Sequence, residues 1–282
     1  MVTISKKEQL GNSTSRQIRL QILDALYQAK GGHFGGACSC VEILQALLVH
    51  GSISQRGASQ DIFILSKGHA AVSYYASLNA LGLAQLDLSN YGNSITGTEI
   101  HPCIHANNWV HFSTGSLGQG LSYGLGSALA LANEPNRHVW VVMGDGECQE
   151  GQVWEAAMLA SRYQLTNLHV ILDLNRHQEC GWEAQEVAHN VPLPAAEEKW
   201  RAFGWQVESL NGHCLTSLRS WIEASKTRTL QPLDPKQPNI AIANTVKGAG
   251  IPCFEQQPAL SHCTTLSREH YHASRNFLAE AC

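Results

Sequence analysis

Two unbroken apolar runs stand in the middle of the chain. Residues 138–143 read His-Val-Trp-Val-Val-Met and run into Gly144-Asp145-Gly146-Glu147, and residues 169–174 read His-Val-Ile-Leu-Asp-Leu and run into Asn175. Short apolar runs closed by glycine or polar residues predict strands buried on both faces of a parallel sheet. Similar runs at 61–65, 205–209 and 239–245 predict three more. Between them the spacing changes to that of helices. Ile18, Ile22, Leu23 and Leu26 make one stripe over 14–29. Further helices are predicted at 41–49, after Ser66-Lys67-Gly68-His69 as far as Leu81, and at 121–132, 153–163, 195–203 and 215–225. Gly31 to Gly36 breaks the pattern. Residues 84–113 lack a period and read as a long loop, and 230–238 as a Pro-rich one. Strand and helix alternate throughout. This predicts an α/β fold, doubly wound, with a mostly parallel sheet and helices on both faces, in one domain over 1–282.

In such a sheet, ligands collect beyond the carboxyl ends of the strands. Asp145 and Asn175 are therefore two oxygens aimed at one spot, 30 residues apart, about one βαβ unit. Their types suit a hard cation, Mg²⁺ or Ca²⁺, and Mg²⁺ commonly carries a phosphate with it. A diphosphate cofactor fits that chemistry. Asp-Gly and Asn are also ordinary turn formers, but the matched strands favour a site.

Other residues gather around it. His33 lies between glycine pairs, His69 follows a strand, His101 precedes Pro102, and His262 lies near the C-terminus. Together they suggest a shared anionic or hydroxylated ligand. Gly115 to Gly120 is Gly-rich but matches neither a Walker loop nor a dinucleotide fingerprint. Glu147, Glu150 and Glu155 flank a helix start, where the dipole favours carboxylates. His101-x-Cys103-x-His105 with His111 is a minor transition-metal alternative. The small residues Gly120, Gly124, Gly126, Ala128 and Ala130 suit either a subunit contact or a plain buried helix.

Composition excludes several classes. Net charge is −4, so nucleic acid has no electrostatic footprint here. No apolar run approaches the roughly 20 residues that span a bilayer. Residues 1–9 are polar and lack a signal core, so the expected compartment is the cytoplasm. Nine cysteines, an odd number with no Cys-x-x-Cys pair, are expected to be reduced and buried. Charged residues make up 15%, low for a globular surface, which suggests that a partner covers part of it.

Taken together, the motifs identify a resemblance. They are Gly32-His33-x-Gly35, Ser66-Lys67-Gly68-His69, His101-Pro102, the run from Ser113 to Gly120, Gly144-Asp145-Gly146-Glu147-x-Gln149-Glu150-Gly151, Asp173-x-Asn175-x-x-Gln178-x-x-Gly181 and Val246-Lys247-Gly248. The chain resembles the N-terminal, diphosphate-binding half of transketolase, and more closely the N-terminal subunit of a split, two-chain form. The resemblance implies the thiamine-diphosphate-binding fold, in its diphosphate-binding (PP-type) domain. It also implies thiamine diphosphate held through Mg²⁺ or Ca²⁺ by Asp145, Asn175 and the main-chain carbonyl of His177. Gly115, Ser116 and Leu117 would meet the aminopyrimidine, and His69, Gly146 and Glu147 the diphosphate side. His33, His69, His101 and His262 would handle the hydroxyls of a small sugar substrate. Glu150 would link to the opposite cofactor site. The glutamate that activates the aminopyrimidine belongs, in the family, to a pyrimidine-binding domain. This sequence stops at Cys282, so a separate C-terminal subunit is expected to supply that domain, in an α2β2 heterotetramer. Phe34, the run from Asn108 to His111, Arg176-His177 and the segment after Glu255 depart from the family pattern, and all lie around the substrate channel. Alternatives are the α subunit of a 2-oxoacid dehydrogenase and a non-catalytic partner subunit.

Overall fold

The structure, a computed structural model, describes residues 12–57, 60–93, 95–134, 136–179, 192–228 and 236–280. Five strands, β1 (Ile62–Leu65), β2 (Val139–Gly144), β3 (Leu168–Leu174), β4 (Gln206–Asn211) and β5 (Asn239–Asn244), form one sheet in the order β1-β2-β3-β5-β4. Every neighbouring pair is parallel. β2, β3 and β5 lie inside the sheet and are buried at every position, which is why their sequences read as unbroken apolar runs. β4 forms an edge and is half exposed.

The helices are α1 (Ser13–Gln28), α2 (Phe34–Ser39), α3 (Val41–His50), α4 (Ala71–Ala80), α5 (Gln119–Ala130), α6 (Gly151–Arg162), α7 (Ala196–Ala202), α8 (Leu215–Arg228), α9 (Pro252–Gln256) and α10 (Arg268–Glu280). Alternate strand residues serve opposite layers. Phe63, Leu65, Trp140, Val142 and Ile171 pack under α3, α4 and α8. Ile64, Val141, Met143, Val170 and Leu172 pack under α5, α6 and α7. The step from β4 to β5 runs back across the sheet, against the direction of β1 to β3. A right-handed crossover then needs the opposite face, and α8 takes it. The sheet is thus doubly wound, as expected.

α1 opens on Asn12, whose side chain accepts the Ser15 N–H at 2.9 Å. Its stripe meets Phe34, Val72, Phe254 and Leu278 in a third core. Three helices escape the sequence reading. α2 begins on Phe34-Gly35-Gly36, whose glycines hide its propensity, α9 is only five residues long, and α10 is mostly polar, with only Ser274 and Leu278 buried. α8 and β4 run three and two residues past their expected ends. The helix expected at 121–132 starts and stops two residues earlier. Its small residues divide between a buried and an exposed face. Gly124 faces inward, where a Cβ would lie 2.7 Å from Val141 Cγ2, while Gly126 and Ala130 face outward. The described residues of 84–113 form a loop with a 3₁₀ turn at Leu88–Asn90, tied to α4 by the Tyr74 hydroxyl donating to the Trp109 carbonyl at 2.8 Å. Residues 1–9, Gly181 and 230–235 lie outside the described residues. Among those described, no helix is long and apolar enough to cross a membrane.

Candidate functional site

Because the strands are parallel, β1, β2, β3 and β5 deliver their C-terminal residues to one edge. Lys67 and His69, then Asp145 to Glu147, then Asn175 and His177, then Lys247 line a single cavity of about 330 Å³ there. Leu117, Glu150 and His262 complete its wall.

At its floor lies Asp173, fully buried. Its carboxylate accepts from the Lys67 ammonium and the Thr245 hydroxyl, from Ser39 Oγ at 2.6 Å and from Asn175 Nδ2 at 3.1 Å. Burial opposes ionisation of both partners, but the pairing outweighs it and holds Asp173 below and Lys67 above their ordinary ranges. A carboxylate only accepts hydrogen bonds, so it fixes which end of the Asn175 amide is NH₂. Oδ1 is left as the oxygen, and it takes the His177 N–H at 3.1 Å. Arg176 turns the chain here in the left-handed region, φ 66°. Its N–H donates to Asp145 Oδ2 at 2.6 Å, which sets the Asp145 carboxylate against the Asn175 turn. The other oxygen of Asp145 accepts the Gly146 N–H at 2.9 Å. Burial, then the Asp173 charge, pushes the Asp145 carboxyl up to about 7.

Glu147 lines the cavity and is also bonded into the turns around it. Its carboxylate accepts from the Ser66 hydroxyl, from Gly118 N–H at 2.8 Å and from Gly144 N–H at 3.2 Å. It clamps the ends of β1 and β2 to the Gly-rich turn, and burial raises its pKa. Gly118 takes φ 84°, and a Cβ there would lie 2.7 Å from Glu150 Cβ. Gly115 sits against the His101 ring, while Ser116 and Leu117 are exposed at the rim with Glu150.

The four histidines converge from positions 33, 69, 101 and 262. The His33 ring centre lies 5.3 Å from His69, 6.3 Å from His101 and 5.4 Å from His262. Burial lowers all four pKa values, His69 well below its ordinary value and His262 to about 3. The Lys247 ammonium lies 3.2 Å from His262 Nδ1, which makes that nitrogen an acceptor and Nε2 the one bearing hydrogen. Burial and the nearby Lys67 charge bring Lys247 down to about 8. Gly36 passes so close that a Cβ would lie 2.7 Å from His69 Nε2.

The His101-Cys103-His105 alternative does not assemble. His111 Nδ1 instead accepts the Phe63 N–H at 2.8 Å, and no group of three or more His, Cys, Asp or Glu converges on a metal position among the described residues. Cys148 is buried inside its turn and its thiol is pushed well up. Sequence reasoning gave no role to Lys67, Asp173, Lys247, or the buried trio in which Arg19 and His213 both bond Glu42. Lys67, Asp173 and Lys247 all stood in quoted motifs, which was the available signal.

The family model described as "Transketolase, thiamine diphosphate binding domain" matches residues 11–279. The chain is 32% identical over 272 residues to one of the named subunits of apulose-4-phosphate transketolase from Phocaeicola vulgatus, covering 93% of this chain and 91% of that one. It is 35% identical over 265 residues to 6-deoxy-6-sulfo-D-fructose transketolase subunit SqwG of Clostridium sp. (strain MSTE9), covering 91% and 92%. Among solved structures, transketolase from Campylobacter jejuni superposes with a TM-score of 0.80 at 25% identity, over 99% of this chain and 43% of that one. The chain therefore spans less than half the length of that structural relative.

Proposed function

The chain belongs to the transketolase family, and from that premise we propose that it is the diphosphate-binding subunit of a two-chain transketolase, an enzyme moving a two-carbon ketol unit from a ketose to an aldehyde. The carrying observation is the joint placement, in one cavity, of the Asp145–Asn175 oxygens and the histidine cluster.

The cofactor is thiamine diphosphate with a divalent ion, Mg²⁺ or Ca²⁺. The residues fit it. Asp145 offers a buried carboxylate, and Asn175 offers an amide oxygen whose orientation Asp173 fixes. With one acid in the set, most of the ion's remaining ligands would be phosphate and water, as Mg²⁺ prefers. The His177 carbonyl is the third protein ligand in this reading, and Gly146 and His69 hold the diphosphate. When bound, the cofactor supplies a carbon nucleophile and an electron sink for breaking and remaking the bond beside a ketose carbonyl.

The chain's own residues then do three things. Lys67 and Asp173 hold the oxygen ligands rigid beneath the diphosphate. His33, His69, His101 and His262 are neutral near pH 7, so each ring offers one donor and one acceptor nitrogen to sugar hydroxyls. They take and return protons at those oxygens during cleavage and addition. Gly115 and Leu117 present main-chain groups, and Ser116 its exposed side chain, to the aminopyrimidine at the open rim. There Glu150 faces the neighbouring subunit.

That rim is where we place a C-terminal partner subunit with a pyrimidine-binding domain, in an α2β2 assembly in the cytoplasm. The two split relatives are named as subunits of transketolases for apulose 4-phosphate and 6-deoxy-6-sulfo-D-fructose. By analogy, the substrate class here is a ketose with an anionic end group. The histidine cluster suits a polyhydroxylated substrate and disfavours a 2-oxoacid dehydrogenase half-site.

The test mixes this chain with its pyrimidine-domain partner, thiamine diphosphate, Mg²⁺ and a ketose phosphate, and follows aldose release. Turnover is expected only when both chains are present. Robust turnover by this chain alone would falsify the shared site. Pyruvate decarboxylation without ketol transfer would overturn the transferase assignment.

A further inference from the structure

A second cavity, of about 640 Å³, adjoins the histidine cluster. His33 lines it directly, while Ile100 and Cys263 line it as the chain neighbours of His101 and His262. His69 and His262 line the diphosphate cavity. The cluster therefore stands between the two spaces, and a ligand held by the histidines can extend into both. The walls of the second are tied down. Gly32 and Thr264 exchange both backbone hydrogen bonds, at 2.9 and 3.1 Å, and the Tyr91 hydroxyl donates to the Ile100 carbonyl at 3.0 Å.

The charge of this cavity has one sign. Among its described lining residues none is acidic, and Lys30 alone carries a fixed charge. Lys30 stands just past the end of α1. Its N–H bonds the Tyr27 carbonyl at 3.1 Å and the Gly31 N–H bonds that of Leu26 at 2.9 Å, so the turn is closed and the lysine backbone is held at φ 60°. Glycine is the usual residue at such a left-handed helix end, since a side chain there is strained. The helix dipole does favour a cation at this end. It would favour one equally in the last turn of α1, at no cost in strain, yet that turn carries no basic residue. A lysine kept in a strained position and lining a cavity without acids suits a bound anion.

We propose that the second cavity receives the far end of the substrate and that Lys30 binds a phosphate there. This rests on the reading above of a ketose with an anionic end group and gives that group its place. The carbonyl end then lies towards the diphosphate cavity, the middle hydroxyls lie among the histidines, and the phosphate lies beyond His33. Lys30 thus sets specificity and takes no part in proton transfer.

Calorimetry with sorbitol 6-phosphate tests it, on the chain joined to its pyrimidine-domain partner and loaded with thiamine diphosphate and Mg²⁺. This probe has the length and the phosphate of a ketohexose 6-phosphate but no carbonyl, so it binds without reacting. Lys30→Gly weakens binding at least tenfold, Lys30→Glu weakens it further, and Lys30→Arg stays within about threefold of wild type. The thermal midpoint of Lys30→Gly is equal to that of wild type or higher, because glycine relieves the left-handed strain. No binding by the wild type, unchanged binding by Lys30→Gly, or equal losses in the Arg and Gly variants overturns the proposal. A lower midpoint in Lys30→Gly also overturns it, by assigning the lysine to the end of α1. The measurement needs no turnover, so an assembly that released no aldose would refute the transferase reading while the Lys30 dependence was still read from binding.

Discussion

Lys67 donates to Asp173 and, at 2.8 Å, to the Gly36 carbonyl, while Asp173 also holds Ser39, Thr245 and Asn175. One ion pair thus ties α2 to the ends of β1, β3 and β5. A second buried centre lies behind it. Arg19 grips both oxygens of Glu42, at 2.6 and 2.9 Å, and His213 adds a third bond at 2.8 Å. His213 Nε2 accepts the Val246 N–H at 2.9 Å, so this trio also positions the loop that carries Lys247. Burial opposes the Glu42 charge, yet Arg19 and His213 hold its pKa at about 2. Glu42→Gln strands the Arg19 guanidinium without a counter-ion. We expect a loss of about 3–5 kcal/mol, seen as a fall of roughly 10 °C in the thermal midpoint; a midpoint within about 1 °C of wild type would refute the charge argument. Gly36→Ala is a gentler test. Its methyl group pushes against the His69 ring, which is packed against His33 and His262, so kcat/KM of the two-chain enzyme should drop at least tenfold, about 1.4 kcal/mol, with little change in melting. At this scale Asp145 and Asn175 were legible, because each directly follows an apolar run. The Lys67–Asp173 and Arg19–Glu42–His213 contacts were not, because their members lie far apart in the chain and only the fold makes them neighbours.

Strands and their helices follow the sequence closely where one face or both is buried, since burial writes the period. β2, β3 and β5 are clear for that reason. β4 is blurred because an edge strand tolerates polar residues. α2 is invisible because it is held by tertiary contacts with Lys67 and His69 rather than by propensity. The polar starts of β2, β3 and β5, at the end of the sheet away from the cavity, hold a buried chain of their own. His138 Nδ1 meets His169 Nε2 at 2.9 Å, His169 Nδ1 meets Asn239 Oδ1 at 2.5 Å, and Asn239 Nδ2 donates to Ser225 Oγ at 2.7 Å. Burial lowers His138 to about 4 and His169 to about 3. Both are neutral in the folded chain and take protons near 6.5 when unfolded. Their stability contribution is complete above pH 6.5 and is lost as pH falls towards 3. Asp61, raised to about 6 by burial, acts in the opposite sense, favouring the folded state as it protonates, but over a smaller span. Asp145, raised to about 7, opposes the histidines too, so the share of His169 is read from its own substitution rather than from the net slope. For His169 alone the loss between pH 7 and 4.5 is about 2–3 kcal/mol. Urea unfolding at both pH values should show it, and His169→Gln should flatten the difference; an equally steep pH dependence in that variant would remove His169 as the source.

For the whole molecule, the cavity has a floor and a rim but one open side. Leu117 is 37% exposed there, with Ser116 and Glu150 beside it. A ligand anchored only by its diphosphate end binds an open cleft less tightly than a closed one, since its other half stays in water. If the partner subunit closes that side, it raises the affinity of this chain for thiamine diphosphate and Mg²⁺ by some factor. Linkage then requires the cofactor to raise the affinity of this chain for the partner by the same factor. The equality is independent of mechanism, so it can be measured without any turnover. Calorimetry would give the cofactor affinity with and without partner, and the partner affinity with and without cofactor. A factor of ten to a hundred, about 1.4–2.7 kcal/mol, is expected in both directions. Chelating the metal should reduce both factors to near unity. Asp145→Asn should do the same at ordinary Mg²⁺ concentration, because the coupling passes through the ion that this carboxylate holds. Equal factors with Asp145→Asn unaffected would move the metal elsewhere in the cavity. A partner that binds equally well with and without cofactor would mean that it docks away from the open rim, and the completed pocket would have to be sought on another face.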